Sequence, residues 1–83
     1  CIWFEKGMSL NGQGKYEEAI KYFDKALEDT PDFSGYWYHK GIALNNLKKY
    51  EEAIKCYDKA LEFDSTNSYA KTAKGEALKA LDK

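Results

Sequence analysis

The chain has 83 residues, a third of them charged and 43% hydrophobic, with a net charge of −1. That describes one small domain with wet outer faces, and it gives no electrostatic case for nucleic acid or an anionic membrane surface. The longest apolar run is only a few residues, too short to span a bilayer, and no charged-then-apolar leader is present. The chain opens on Cys1-Ile2-Trp3 in mid-pattern rather than on Met, which predicts a fragment of a longer protein. Its two cysteines, Cys1 and Cys56, have no C-x-x-C spacing, so neither a zinc site nor a redox motif can be built from them. Two free thiols fit a reducing, cytoplasmic setting.

Taken in chain order, a first helical stretch runs from about Ile2 to Gln13 and breaks at Gly12-Gln13-Gly14. Glycine lowers helix propensity, so this turn is expected to be looser than its later counterpart. A second stretch carries Tyr16, Ala19, Ile20, Phe23, Ala26 and Leu27 at the i, i+3, i+4, i+7 spacing of one apolar stripe. Glu17, Lys21, Lys25 and Glu28 lie opposite, and Glu17→Lys21 has the favoured i, i+4 order. Thr30-Pro31-Asp32 supplies a stop, and Ser34 is the expected cap of a third stretch reaching about Leu47. Asn46-Leu47-Lys48 then leads into a fourth stretch with the stripe Tyr50, Ala53, Ile54, Tyr57, Ala60 and Leu61, where Glu51→Lys55 repeats the charge pair. After Asp64-Ser65-Thr66-Asn67 a last stretch begins at Ser68, with Ala70, Ala73, Ala77, Leu78 and Leu81 at its inner positions. No segment alternates with period two, which leaves an all-α chain of five helices.

The third and fourth stretches repeat the first and second. Aligned at an offset of 34, residues 1–33 and 35–67 are identical at 17 of 33 positions, and Lys15 to Lys21 recurs letter for letter as Lys49 to Lys55. A fixed period of this size marks stacked helix pairs, each with too little core alone. The units read as a single domain: repeat 1 about 1–33, repeat 2 about 34–67, and a closing helix about 68–83. The pattern resembles the tetratricopeptide repeat family, on Trp3, Gly7, Ala19, Phe23 and Pro31 in the first copy and Trp37, Gly41, Ala53 and Tyr57 in the second. Lys6 and Lys40 depart from the family's Leu, Leu10 and Leu44 from its Tyr, and Ser65 from its Pro.

The resemblance implies antiparallel pairs stacked into a right-handed superhelix, with Gly7 and Ala19 allowing the helices of a pair to approach. It makes Trp3, Trp37, Tyr16 and Tyr50 expected core aromatics and the last helix a polar cap. Ile2, Trp3 and Phe4 then begin on an uncapped edge suited to self-association or to an upstream repeat. The resemblance also implies a concave groove for a peptide segment of a partner protein. It would be lined by Phe4, Met8 and Asn11, then Tyr38, Ile42 and Asn45, then Tyr69, Thr72 and Glu76. One subclass of the family clamps a C-terminal carboxylate with Lys, Asn and Arg. The matching positions are Phe4, Met8, His39, Tyr69 and Ala73, none of them Lys or Arg, which implies an apolar or internal segment instead.

Enzyme readings find no support. His39 is the only histidine, and Ser9, Ser34 and Ser65 have no paired base in any motif. Gly12-Gln13-Gly14 lacks the Gly-Lys-Ser/Thr ending of a phosphate loop. Glu17-Glu18 and Glu51-Glu52 sit adjacent on outer helix faces rather than across a cleft. The expectation is a non-enzymatic protein-binding scaffold, with no cofactor, metal, nucleic-acid or membrane partner. The alternative is a structural segment that extends a longer superhelix or mediates self-association without a ligand of its own.

Overall fold

The computed structural model describes residues 2–82. The Cys1 thiol and the Lys83 end of the last stretch lie outside them. Five helices follow in order: α1 (Ile2–Gly12), α2 (Tyr16–Asp29), α3 (Ser34–Asn46), α4 (Tyr50–Phe63) and α5 (Ser68–Leu81). Each packs on the next; α1 also touches α3 and α3 touches α5, whereas α2 and α4 have no such contact. The stack therefore closes on the odd helices and opens on the even ones, curving into a right-handed superhelix with α1, α3 and α5 on its inner side.

The core is thin. Eight of its buried side chains are alanines, and the largest fully buried ones are Phe23 and Tyr57, equivalent residues of the two copies. Each of these rings lies on a glycine of the preceding helix. A methyl group at Gly7 would stand 2.6 Å from Phe23 Cε1, and one at Gly41 would collide with the Tyr57 ring. These glycines, with Ala19 and Ala53 at zero exposure, let the two helices of a pair come together.

The tryptophans expected in the core lie at its margin. Trp3 is 39% exposed and stacks on Tyr22 with the Lys25 ammonium over its ring. Trp37 is half-buried, and its indole N–H donates to the Pro31 carbonyl at 2.8 Å, stapling the turn between the copies. Tyr16 and Tyr50 are likewise only half-buried. Indole and phenol need a polar partner for one end, and the rim of the core offers it where the centre does not.

Three local expectations are corrected. The Gly12-Gln13-Gly14 turn is no looser in form than its counterpart. Gly14 N–H bonds Asn11 O and Lys15 N–H bonds Leu10 O, while Lys48 and Lys49 repeat this on Asn45 and Leu44. Both are Schellman motifs needing a left-handed residue, filled by Gly14 (φ 81°) and Lys48 (φ 65°). Ser34 does not cap α3, which starts on Phe33 without a side-chain cap; its hydroxyl donates to Ala60 O at 2.8 Å. Asn67 Nδ2 donates to that hydroxyl at 2.9 Å while Asn67 Oδ1 caps α5 at Ala70 N–H. Finally, neither Glu17–Lys21 nor Glu51–Lys55 closes among the described residues. Other charges do pair, between repeats as Asp24–Lys40 and Asp58–Lys74, each 2.6 Å, and within α4 as Lys59–Glu62 at 3.4 Å.

Candidate groove on the concave side

Along the inner side, α1 brings Phe4, Met8 and Asn11 to one face because residues three and four apart share a side of a helix. Phe4 is half-buried, its ring 4.9 Å from Tyr36, 5.1 Å from His39 and 5.9 Å from Phe23. His39 in turn lies 5.0 Å from Tyr38, and Tyr38 lies 6.1 Å from Tyr69 on α5. Aromatic rings therefore run unbroken from α1 through α3 to α5. The sequence pattern puts Phe4, Tyr38 and Tyr69 at expected groove positions but omits Tyr36, and it includes His39 only as a clamp position without a cation. Their contacts with Phe4 on α1 are the signal that the linear pattern does not carry.

Exposure divides the nine groove residues. Met8, Thr72, Glu76 and Tyr69 are open to solvent, Tyr69 at 74%, whereas Phe4, Asn11, Tyr38, Ile42 and Asn45 are half-buried. Ile42 and Tyr38 lean on the core around Leu44, Tyr57 and Ala73. Asn11 and Asn45 each hold a buried Oδ1 with no hydrogen-bond partner, as does the Tyr57 hydroxyl. Burial holds the His39 pKa below its usual value, which keeps the imidazole neutral near pH 7. Burial, with Tyr69 and Glu76 adding, raises the Tyr38 hydroxyl.

The outer side is different. A depression of about 540 Å³ lies there between α2, α3 and α4, with Ile20, Leu44 and Cys56 at its base and lysines and carboxylates interspersed around it. Burial pushes the Cys56 thiol up to about 11, so it stays protonated and unreactive. No group of three or more His, Cys, Asp and Glu side chains among the described residues is placed to hold a metal ion. No described helix is long and apolar enough to cross a membrane.

At the ends of the stack, Ile2 is 72% exposed and Trp3 partly so, while Phe4 turns toward α3. Leu78 and Leu81, expected at inner positions of α5, are 48% and 43% exposed. Only Ala70, Ala73 and Ala77 of that helix are buried, against α4. The capping helix expected is thus present as α5, and its far face carries Leu78 and Leu81 beside its polar residues.

A model of the tetratricopeptide repeat family matches residues 4–68. The chain belongs to the tetratricopeptide repeat family. The first tetratricopeptide repeat domain of Spaghetti (RPAP3), solved with the HSP90 peptide SRMEEVD, superposes with a TM-score of 0.95 at 28% identity, covering 98% of this chain and 66% of that one. The second such domain of the same protein, bound to the same peptide, gives 0.93 at 26% identity, covering 96% and 74%. The first such domain of human RPAP3 shares the fold at 23% identity, with a TM-score of 0.60 and coverage of 98% and 91%. No curated protein matches the sequence. The chain spans just under two thirds of the first of these structures. Two of these relatives, each more than 25% identical, were solved holding a peptide.

Proposed function

We propose that this tetratricopeptide repeat chain holds a peptide segment of a partner protein along its concave side, without catalysis. The observation that carries the reading is the continuous aromatic run from Phe4 through His39 and Tyr38 to Tyr69. Half-exposed aromatic and Met side chains in one row are the material of peptide contacts, offering large area at low entropic cost. The two structural relatives hold an acidic peptide. The five positions that a carboxylate clamp would use carry no Lys or Arg here, which supports an apolar or internal segment as the ligand. The test is an array of random 11-residue peptides probed with the full chain. Substituting the exposed Met8 and Tyr69 together by Ala should remove the bound set with helicity unchanged, whereas Lys21→Ala on the outer face should not. Equal binding by the Met8/Tyr69 double variant would sink the groove.

A second reading, a structural role, is favoured by one specific observation. Asp24–Lys40 and Asp58–Lys74 are successive rungs of one ladder at the 34-residue period, and Lys6 is the next position in it. Lys6 is exposed and lies against Tyr22, beside exposed Ile2 and Trp3. That face is the equivalent of the one that α3 gives to α2. It is fitted to the second helix of a further repeat carrying an aspartate in register. Self-association is the weaker version, because α2 and α4 of a second copy are already packed between other helices.

A further inference from the structure

Three departures from the repeated pattern fall where α3, α4 and α5 meet. Tyr57 stands where the first copy has Phe23, Tyr69 where the second has Gly35, and Glu76 at the register of Met8 and Ile42. Packing alone asks for none of these polar groups, since Phe23 fills the same place fully buried without a hydroxyl. The Tyr57 side chain is completely buried, yet its hydroxyl has no hydrogen-bond partner, an arrangement that native interiors rarely leave standing. The Tyr38 ring lies 6.2 Å from the Tyr57 ring and 6.1 Å from that of Tyr69. Glu76 is near enough to raise the pKa of both the Tyr38 and the Tyr57 hydroxyls, after the larger effect of burial. It takes part in none of the ion pairs among the described residues.

We propose that this end of the groove receives a basic side chain, lysine or arginine, of the bound segment, set against the Tyr38 and Tyr69 rings and neutralised by Glu76. The proposal rests on the groove being the peptide site. Tyrosine faces attract an ammonium or guanidinium within about 6 Å of the ring centroid, and a carboxylate beside them supplies charge-assisted hydrogen bonds. The Tyr57 hydroxyl, without a partner behind the Tyr38 ring, keeps lone pairs that can accept an N–H. The remaining charges at these registers are few. Glu5 lies at the register of His39, which is held neutral, and Lys79, one turn beyond Glu76, is the one cation at a groove register. This is the reverse polarity of a site for an acidic tail.

The same peptide array tests it, sorted by charge at low ionic strength. Bound peptides should be enriched in Lys and Arg over Asp and Glu by about fivefold, the ratio that one half-exposed cation–aromatic contact supports. Glu76→Gln should abolish the enrichment while leaving the apolar preference, and Glu76→Lys should shift it toward acidic peptides. Glu76 is exposed, so neither change threatens folding, and unchanged circular dichroism checks this. Enrichment that survives in Glu76→Gln, or a preference of the unaltered chain for acidic peptides, overturns the proposal. If peptides bind without charge preference and still require Met8 and Tyr69, the basic-residue inference falls and the groove stands. If binding ignores Met8 and Tyr69, both fall.

Discussion

Lys48 holds a left-handed backbone position, φ 65°, that its counterpart Gly14 adopts without a side chain. The motif demands it: the N–H of this residue must reach back to Asn45 O and that of Lys49 to Leu44 O. For a residue with a Cβ the left-handed region costs roughly 1–2 kcal/mol, partly offset because glycine loses more entropy on folding. Lys48→Gly is therefore expected to stabilise the chain by about 1 kcal/mol, read as a rise of about 4–8 °C in thermal midpoint. Gly14→Ala is expected to lower it by a similar amount; a Lys48→Gly variant no more stable than the original would contradict the strain. Helix propensity, read along the sequence, marks Gly12-Gln13-Gly14 as the weak turn. The backbone angle makes the glycine-free copy the strained one, and propensity carries no information about that angle.

At the scale of elements, the helix positions are legible because the 34-residue period and the apolar stripes state them twice. All five helices start and stop within a few residues of where the pattern ends them. What the pattern does not state is how the junctions are held. The first uses Pro31 and the Trp37 indole. The second has Ser65 and Lys71 at those positions, and it turns instead on Asp64 Oδ1, which accepts from the Thr66 N–H and hydroxyl. Asn67 then both caps α5 and grips Ser34, 33 residues away, whose own hydroxyl reaches Ala60 O. A cap assigned from neighbouring letters cannot anticipate bonds to the far end of the repeat, and so Ser34 reads as a cap when it is a tie. Asn67→Ala is expected to cost about 1–2 kcal/mol in urea unfolding. Ser34→Ala made on top of it should cost less than Ser34→Ala alone, since the two side chains act as one network. Additive losses would show that the tie contributes nothing.

Across the whole molecule, contacts between odd helices and none between α2 and α4 set the curvature, which puts the proposed groove on the inner side. Its proposed aromatic members can be named from the sequence because a residue at one register in one copy is at that register in the next. The unpaired Tyr57 hydroxyl behind them cannot be read that way, because burial and lack of a partner become visible only in three dimensions. The same translational logic reaches beyond α1. The Asp24–Lys40 and Asp58–Lys74 pairs, both 2.6 Å, join each second helix to the first helix after it. A helix placed ahead of α1 at the same spacing brings its aspartate to Lys6 and covers Ile2 and Trp3. Prefixing the chain with a copy of residues 15–34 joined to Cys1, the equivalent of Gly35, supplies that helix in register. Covering side chains of this size removes enough apolar surface to matter, at about 25 cal/mol per Å², so the extended chain is expected to melt several degrees higher. The ion pair adds a smaller share, about 0.2–1 kcal/mol at this exposure. Lys6→Asp should therefore trim the gain, and changing the aspartate of the added helix to Lys in that background should restore it. A rise in midpoint that ignores both charge changes would mean the helix sits out of register, and no rise at all would mean this face is finished as it stands.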